Sequence, residues 1–215
     1  MIPWSHICNY HIFLFDGYLL NPNGGMMKST KIARLAVIGA IVFVAIALDT
    51  VFKTFFAFQP AIVTMLCITT ICLLVSLKEG VFACFVFGLL STVRGLWMGG
   101  LTSFWTSFAN PFIAIIPRVL IAFVVKFSRI GFSKFIKNDY LSDCLSSALG
   151  VLSNTVFCAL MMIFFKAVTG YASDIIEKVI IPFFSINCAI EVAVCAIVTP
   201  LLLKGMKRTP YFKED

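Results

Sequence analysis

Residues 28–55 read KSTKIARLAVIGAIVFVAIALDTVFKTF, and this stretch decides the fold class. Three basic residues, Lys28, Lys31 and Arg34, open it, and fourteen uncharged residues then run from Leu35 to Leu48. Nothing alternates with period two, so a membrane β-strand is a poor fit. A run of this length and polarity reads as a helix that crosses a bilayer. The rest of the chain repeats the pattern. Of 215 residues, 60% are hydrophobic and 13% charged, and the mean hydropathy is +1.01. A soluble domain carries roughly a quarter of its residues as charges, so a soluble fold, disorder and nucleic-acid binding are excluded together.

Six spans follow from the apolar runs, at about 32–56, 60–77, 79–99, 111–127, 141–168 and 180–204. The expected fold is therefore all-α, a polytopic bundle of six transmembrane helices. Its basic residues set the expected orientation. With the N-terminus cytoplasmic, the inner side holds Lys28, Lys31, Arg34, Lys78, Lys126, Arg129, Lys134, Lys137, Lys204, Lys207, Arg208 and Lys213, twelve of the seventeen Lys and Arg. The outer side holds Lys53, Lys166 and Lys178. Both termini are expected in the cytoplasm. Residues 1–25 differ from the rest, with Pro3, Asp16 and Pro22 breaking a weak apolar stretch. They lack the basic start of a signal peptide and read as an over-extended gene start or a mobile appendage. The membrane domain is then 26–215.

Ionisable groups at membrane depth each need a partner or a purpose. Arg118 and Glu191 fall mid-span in helices of the same direction, and a structural ion pair is the simplest reading. Arg94 lies in the outer part of the third span and Asp49 in the outer part of the first. They pair with each other, or Arg94 meets an anionic ligand through its planar fork. If Arg118 and Glu191 neutralise each other, Arg94 is the surplus cation. Asn154 and Asn187 add amides in the fifth and sixth spans, where they bond across helices or line a ligand site. Residues 95–111, GLWMGGLTSFWTSFANP, form an uncharged, aromatic-rich connection. In it Trp97 and Trp105 suit an interfacial belt, and Phe104 and Phe108 suit inward packing. Ala36 and Ala40 make a small-xxx-small pair, with Ala33 nearby, on which another membrane helix can dock.

The eight cysteines form no CxxC pair and lie mostly in apolar runs, as small core residues and not metal ligands or disulfides. Neither a Walker A sequence nor HExxH nor a nucleophile elbow occurs, so no enzymatic activity and no cofactor is expected. No helix has the polar face of a channel, and no inverted repeat marks a carrier. A ligand-capturing subunit that borrows its energy from partners fits best.

The segments AVIGA (36–40), KEGVFACFVFGLLS (78–91), FANPFIAIIPRVLIAF (108–123), GVLSNTVF (150–157) and NCAIEVAVCAIVTPLL (187–202), in this order and spacing, resemble the substrate-specific (S) component of an energy-coupling-factor (ECF) vitamin transporter. The similarity spans residues 28–208 and is nearest the pantothenate and riboflavin group. It implies capture of a vitamin at the outer face of a bacterial plasma membrane. A transmembrane T subunit and two cytoplasmic ATPases would then supply the energy for import. Ala33, Ala36 and Ala40 would dock on the T subunit. By position, Arg94, Asn110, Asn154 and Asn187 would contact the ligand, with Phe104 and Trp105 as stacking or lid residues. A surplus Arg94 suits the carboxylate of pantothenate. Riboflavin, stacked on Phe104, Trp105 or Phe108, is the alternative, and a stand-alone secondary transporter the rival class.

Overall fold

A computed structural model of the chain describes residues 26–55, 61–98, 108–169 and 181–206. The 1–25 extension and residues 99–107, with Phe104 and Trp105, lie outside the described residues. The described chain is helical: α1 (Met26–Phe55), α2 (Ile62–Leu74), α3 (Leu77–Met98), α4 (Pro111–Phe135), α5 (Asp139–Thr169) and α6 (Ile181–Met206). Five of these helices are long and apolar enough to cross a membrane. The architecture is that of a polytopic helical membrane protein.

The exception is α2, expected over 60–77 but helical for only 13 residues. Its limits have local causes. Ala61 departs from helical geometry at one end, and Val75 is extended at the other. Ser76 then starts α3 at once, with the Glu79 side chain reaching back to it. The Ser76 amide and hydroxyl both donate to Glu79 Oε2, at 3.1 and 3.0 Å. At 1.5 Å per residue α2 is about 20 Å long, against a hydrocarbon layer of roughly 30 Å.

Contacts between helices give their directions. Arg34 Nε lies 3.4 Å from Glu79 Oε1, so α1 and α3 begin at the same end. Lys126 Nζ donates to the Val75 carbonyl at 2.8 Å, which brings the second half of α4 to the C-terminus of α2. Arg129 Nε meets Asp143 Oδ1 at 2.9 Å, so α5 starts where α4 ends. Glu191 of α6 meets Ala61 at the start of α2, and Thr199, eight residues on, has its hydroxyl 3.1 Å from that of Thr69, so α2 and α6 run the same way. The helices therefore alternate in direction, and α1 starts at the end where α6 finishes. That end gathers Arg34, Lys78, Lys126, Arg129, Lys134 and Lys204 on the described helices.

Helix α2 packs against every other helix, while α1, α3, α4, α5 and α6 surround it. Its Met65, Ile68, Cys72 and Leu73 are buried with Val42, Phe87, Ile121, Val151, Cys195 and Leu203 from all five neighbours. The outward faces carry large apolar side chains such as Phe43, Val44, Leu89, Val93, Leu160 and Phe164. In water such a surface would aggregate, whereas lipid solvates it.

Glycines set the closest helix crossings. A Cβ at Gly88 would lie 2.8 Å from the Ile115 Cα, so α3 and α4 touch backbone to side-chain-free backbone there. Gly131, by contrast, has nothing within 4 Å of its Cβ position. Gly88→Ala is expected to destabilise the protein by about 1–3 kcal/mol, the range for overpacking. Gly131→Ala should be neutral or stabilising by about 0.5–1 kcal/mol through helix propensity. Thermal unfolding of the two purified variants in one detergent checks the contrast.

Candidate functional site

The polar residues of the bundle's other half meet around the start of α2. The first turn of any helix leaves N–H groups without intrahelical acceptors, and Ala61 offers no side chain to cap them. Two carboxylates from other helices supply the acceptors. Asp49 on α1, 2% exposed, accepts from the Val63 amide at 3.2 Å and the Thr64 amide at 2.7 Å. The Thr64 hydroxyl also donates to it. Glu191 on α6, 8% exposed, accepts from the Ala61 amide at 2.5 Å. Both acids stand at the positive end of the helix dipole, where negative charge is favoured.

The two arginines lie alongside. Arg118 is 5% exposed. Its neighbour Pro117 has no N–H, so the carbonyl four residues earlier loses its helical donor. That carbonyl belongs to Ile113, and Arg118 Nη1 donates to it at 3.1 Å. The same nitrogen reaches Cys158 Sγ on α5 at 3.5 Å. The Cys158 thiol donates in turn to Asn154 Oδ1 at 3.7 Å. Two rings flank the guanidinium, Phe87 with its centroid 5.4 Å from Cζ and Phe108 at 4.8 Å. Phe108 sits this close because Gly95 has no side chain: a Cβ there would be 2.6 Å from the Phe108 carbonyl carbon. Arg118 Nε is buried and has no hydrogen-bond acceptor among the described residues. Arg94, half-buried on α3, is within electrostatic reach of Arg118 and of Asp49.

The ion pairs suggested by the sequence take a different form. Among the described residues the salt bridges are Arg34–Glu79 and Arg129–Asp143. Arg118 and Glu191 are not brought within bridging distance, although both act on Cys158 and so lie in one neighbourhood. Asp49 and Arg94 are not bridged either. The reason is the start of α2, whose amide donors compete for both acids and hold them at short range.

The other nominated residues are distributed as follows. Asn110 caps α4, its Oδ1 accepting from the Phe112 amide at 3.0 Å ahead of Pro111. Asn154 is buried beside Cys158 and belongs to the Arg118 cluster. Asn187 lies in α6, its side chain outside the described residues, as are Phe104 and Trp105. Trp97 lies in the last turn of α3 and is 86% exposed, whereas Phe108 is buried against Arg118. Ala33, Ala36 and Ala40 are all exposed on α1. Three participants were not foreseen: the clasp role of Asp49 and Glu191, Cys158 as a neighbour of Arg118, and Phe87. The acids in the first and sixth spans were visible in the sequence, but nothing there tied them to the start of the second.

Comparison with protein-family models, curated proteins and solved structures gives no match, so the function is read from the residues themselves.

Removing the Asp49 carboxylate leaves buried amides of α2 without an acceptor. Asp49→Ala is expected to cost about 1–3 kcal/mol, the penalty for an unsatisfied buried polar group. Asp49→Asn, which keeps one carbonyl oxygen, should lose less. Thermal unfolding in detergent measures both, and an unchanged midpoint for Asp49→Ala would contradict the capping role.

Proposed function

We propose that the chain is the substrate-capturing S component of an ECF-type importer in a bacterial plasma membrane. Its ligand is an anionic micronutrient, with pantothenate the best fit. The observation that carries this reading is the Arg118 guanidinium. It is buried, its Nε–H has no acceptor among the described residues, and a second arginine lies within its electrostatic reach. The nearby acids are meanwhile engaged by the amides of α2. A buried cation of this kind is costly unless an anion meets it. A carboxylate fits the open edge of a guanidinium with two parallel hydrogen bonds.

In this reading all six helices traverse the membrane, α2 as a shortened span. The end rich in Lys and Arg is cytoplasmic, with both termini, in keeping with the bias of basic residues toward the cytoplasm. The arginine cluster then belongs to the outer half, where a vitamin would enter. The exposed Ala33, Ala36 and Ala40 on α1 suit close approach of a T-subunit helix, and two ATPases supply the energy.

The test is equilibrium binding of radiolabelled pantothenate to purified protein. Arg118→Gln is expected to weaken binding by about 1.5–3 kcal/mol, the value of a hydrogen bond to a charged group. An unchanged dissociation constant removes Arg118 from the site. Release of a yellow chromophore on denaturation, with no pantothenate bound, would favour the flavin alternative. Uptake into vesicles that hold this chain alone would favour a stand-alone carrier.

A further inference from the structure

Pro117 stands in the interior of α4, where a proline is unfavourable: it lacks an N–H, and its ring crowds the carbonyl of the fourth residue before it. It is fully buried, and inside a membrane the freed carbonyl has no water to turn to. That carbonyl belongs to Ile113, itself 4% exposed, and Arg118 Nη1 reaches it at 3.1 Å. The break in the helix ladder and the side chain that fills it are thus neighbours in sequence.

The same contact decides which part of Arg118 is engaged. Nη1 carries two N–H groups and has two acceptors, the Ile113 carbonyl and Cys158 Sγ at 3.5 Å. The Cys158 thiol gives its own hydrogen to Asn154 Oδ1, so its sulfur is left to accept. A guanidinium is a rigid plane. With Nη1 held, which is the nitrogen on the Cδ side, the edge formed by Nε and Nη2 lies away from these contacts. Nε is the buried donor that lacks an acceptor among the described residues. That edge offers two parallel N–H groups, the pattern that matches the two oxygens of a carboxylate.

We infer that Pro117 is a positioning residue of the anion site. By withholding one N–H it leaves the Ile113 carbonyl to Arg118 Nη1, and the guanidinium so held presents its Nε–Nη2 edge to the carboxylate of the ligand. This deepens the anion-binding reading proposed above and rests on it. An alanine at 117 would donate to the Ile113 carbonyl, as a helical residue does to the fourth before it, and draw that oxygen back towards the helix axis. Arg118 would then share its acceptor. Of its two anchors, only the thiol, a weak acceptor, would be unchanged. A looser guanidinium has to be ordered by the ligand, and that ordering reduces affinity.

The test compares the affinities of pantothenate and of its alcohol analogue for the full chain in detergent. Their ratio is the readout, because a general loss of folded protein lowers both affinities together. Pro117→Ala is expected to lower the acid-to-alcohol ratio by about two- to tenfold, the net worth of one hydrogen bond. Pro200→Ala removes the other interior proline, on α6 next to Thr199, and should keep the parent ratio. A third protein carries lactate in place of Pro117. Lactate is the hydroxy-acid counterpart of alanine, and its ester linkage has neither the ring nor the N–H. It should also keep the parent ratio, because the missing donor is what reserves the carbonyl. An unchanged ratio in Pro117→Ala overturns the positioning role and leaves the anion site standing. An equal fall in Pro200→Ala, or in the lactate protein, overturns it as well. The lactate measurement stands by itself, so a Pro117→Ala protein that fails to fold does not shield the inference. A parent protein that binds acid and alcohol alike overturns the anion reading and this inference with it.

Discussion

Helix α2 has only 13 residues, and every other helix packs around it. The polar ends of a helix enclosed in this way need acceptors and donors from its neighbours. At its N-terminus Asp49 of α1 and Glu191 of α6 accept from its first amides. At the other end Lys126 and Arg129, both on α4, donate to the carbonyls of Val75 and Leu73 at 2.8 and 3.4 Å. Anions stand at the positive end of the helix dipole and cations at the negative end. Three surrounding helices are thereby tied to the central one by charge-assisted hydrogen bonds, which are about twice as strong as neutral ones.

The clamp has a consequence for the arginines. Acids engaged by α2 are not within bridging distance of Arg118, whose other contacts are a proline-freed carbonyl, a thiol and two aromatic faces. Each is a weaker partner than a carboxylate. The rings of Phe87 and Phe108 lie 5.4 and 4.8 Å from the Arg118 Cζ, while Nε lacks an acceptor among the described residues.

Much of this was legible in the residues, and the rest failed for identifiable reasons. Long apolar runs bounded by Lys, Arg and Pro located α1, α3, α4, α5 and α6, because hydrophobic length is a property of the sequence alone. The intramembrane charges were visible for the same reason: each stands out in an apolar stretch. Their pairing was not visible. Arg118 and Glu191 were matched by depth and opposite sign, but depth says nothing about rotation around a helix or about competing donors. The apolar run 60–77 overstates the second helix, since Val75 is as apolar as its helical neighbours. Only Ser76 followed by Glu79 three residues on marks the break. Cys158 and Phe87 are unremarkable in sequence and acquire meaning from the crossing of α3, α4 and α5. Asn110 carried a capping signal, an Asn before a Pro, and that is the role its side chain fills.

The most direct measurement compares pantothenate with its alcohol analogue, in which a hydroxymethyl group replaces the carboxylate. Both are titrated into the purified full chain under identical conditions. A buried arginine that awaits an anion should bind the acid at least about tenfold more tightly than the alcohol, in line with a hydrogen bond to a charged group. Equal affinities, or tighter binding of the alcohol, would contradict an anion site at Arg118.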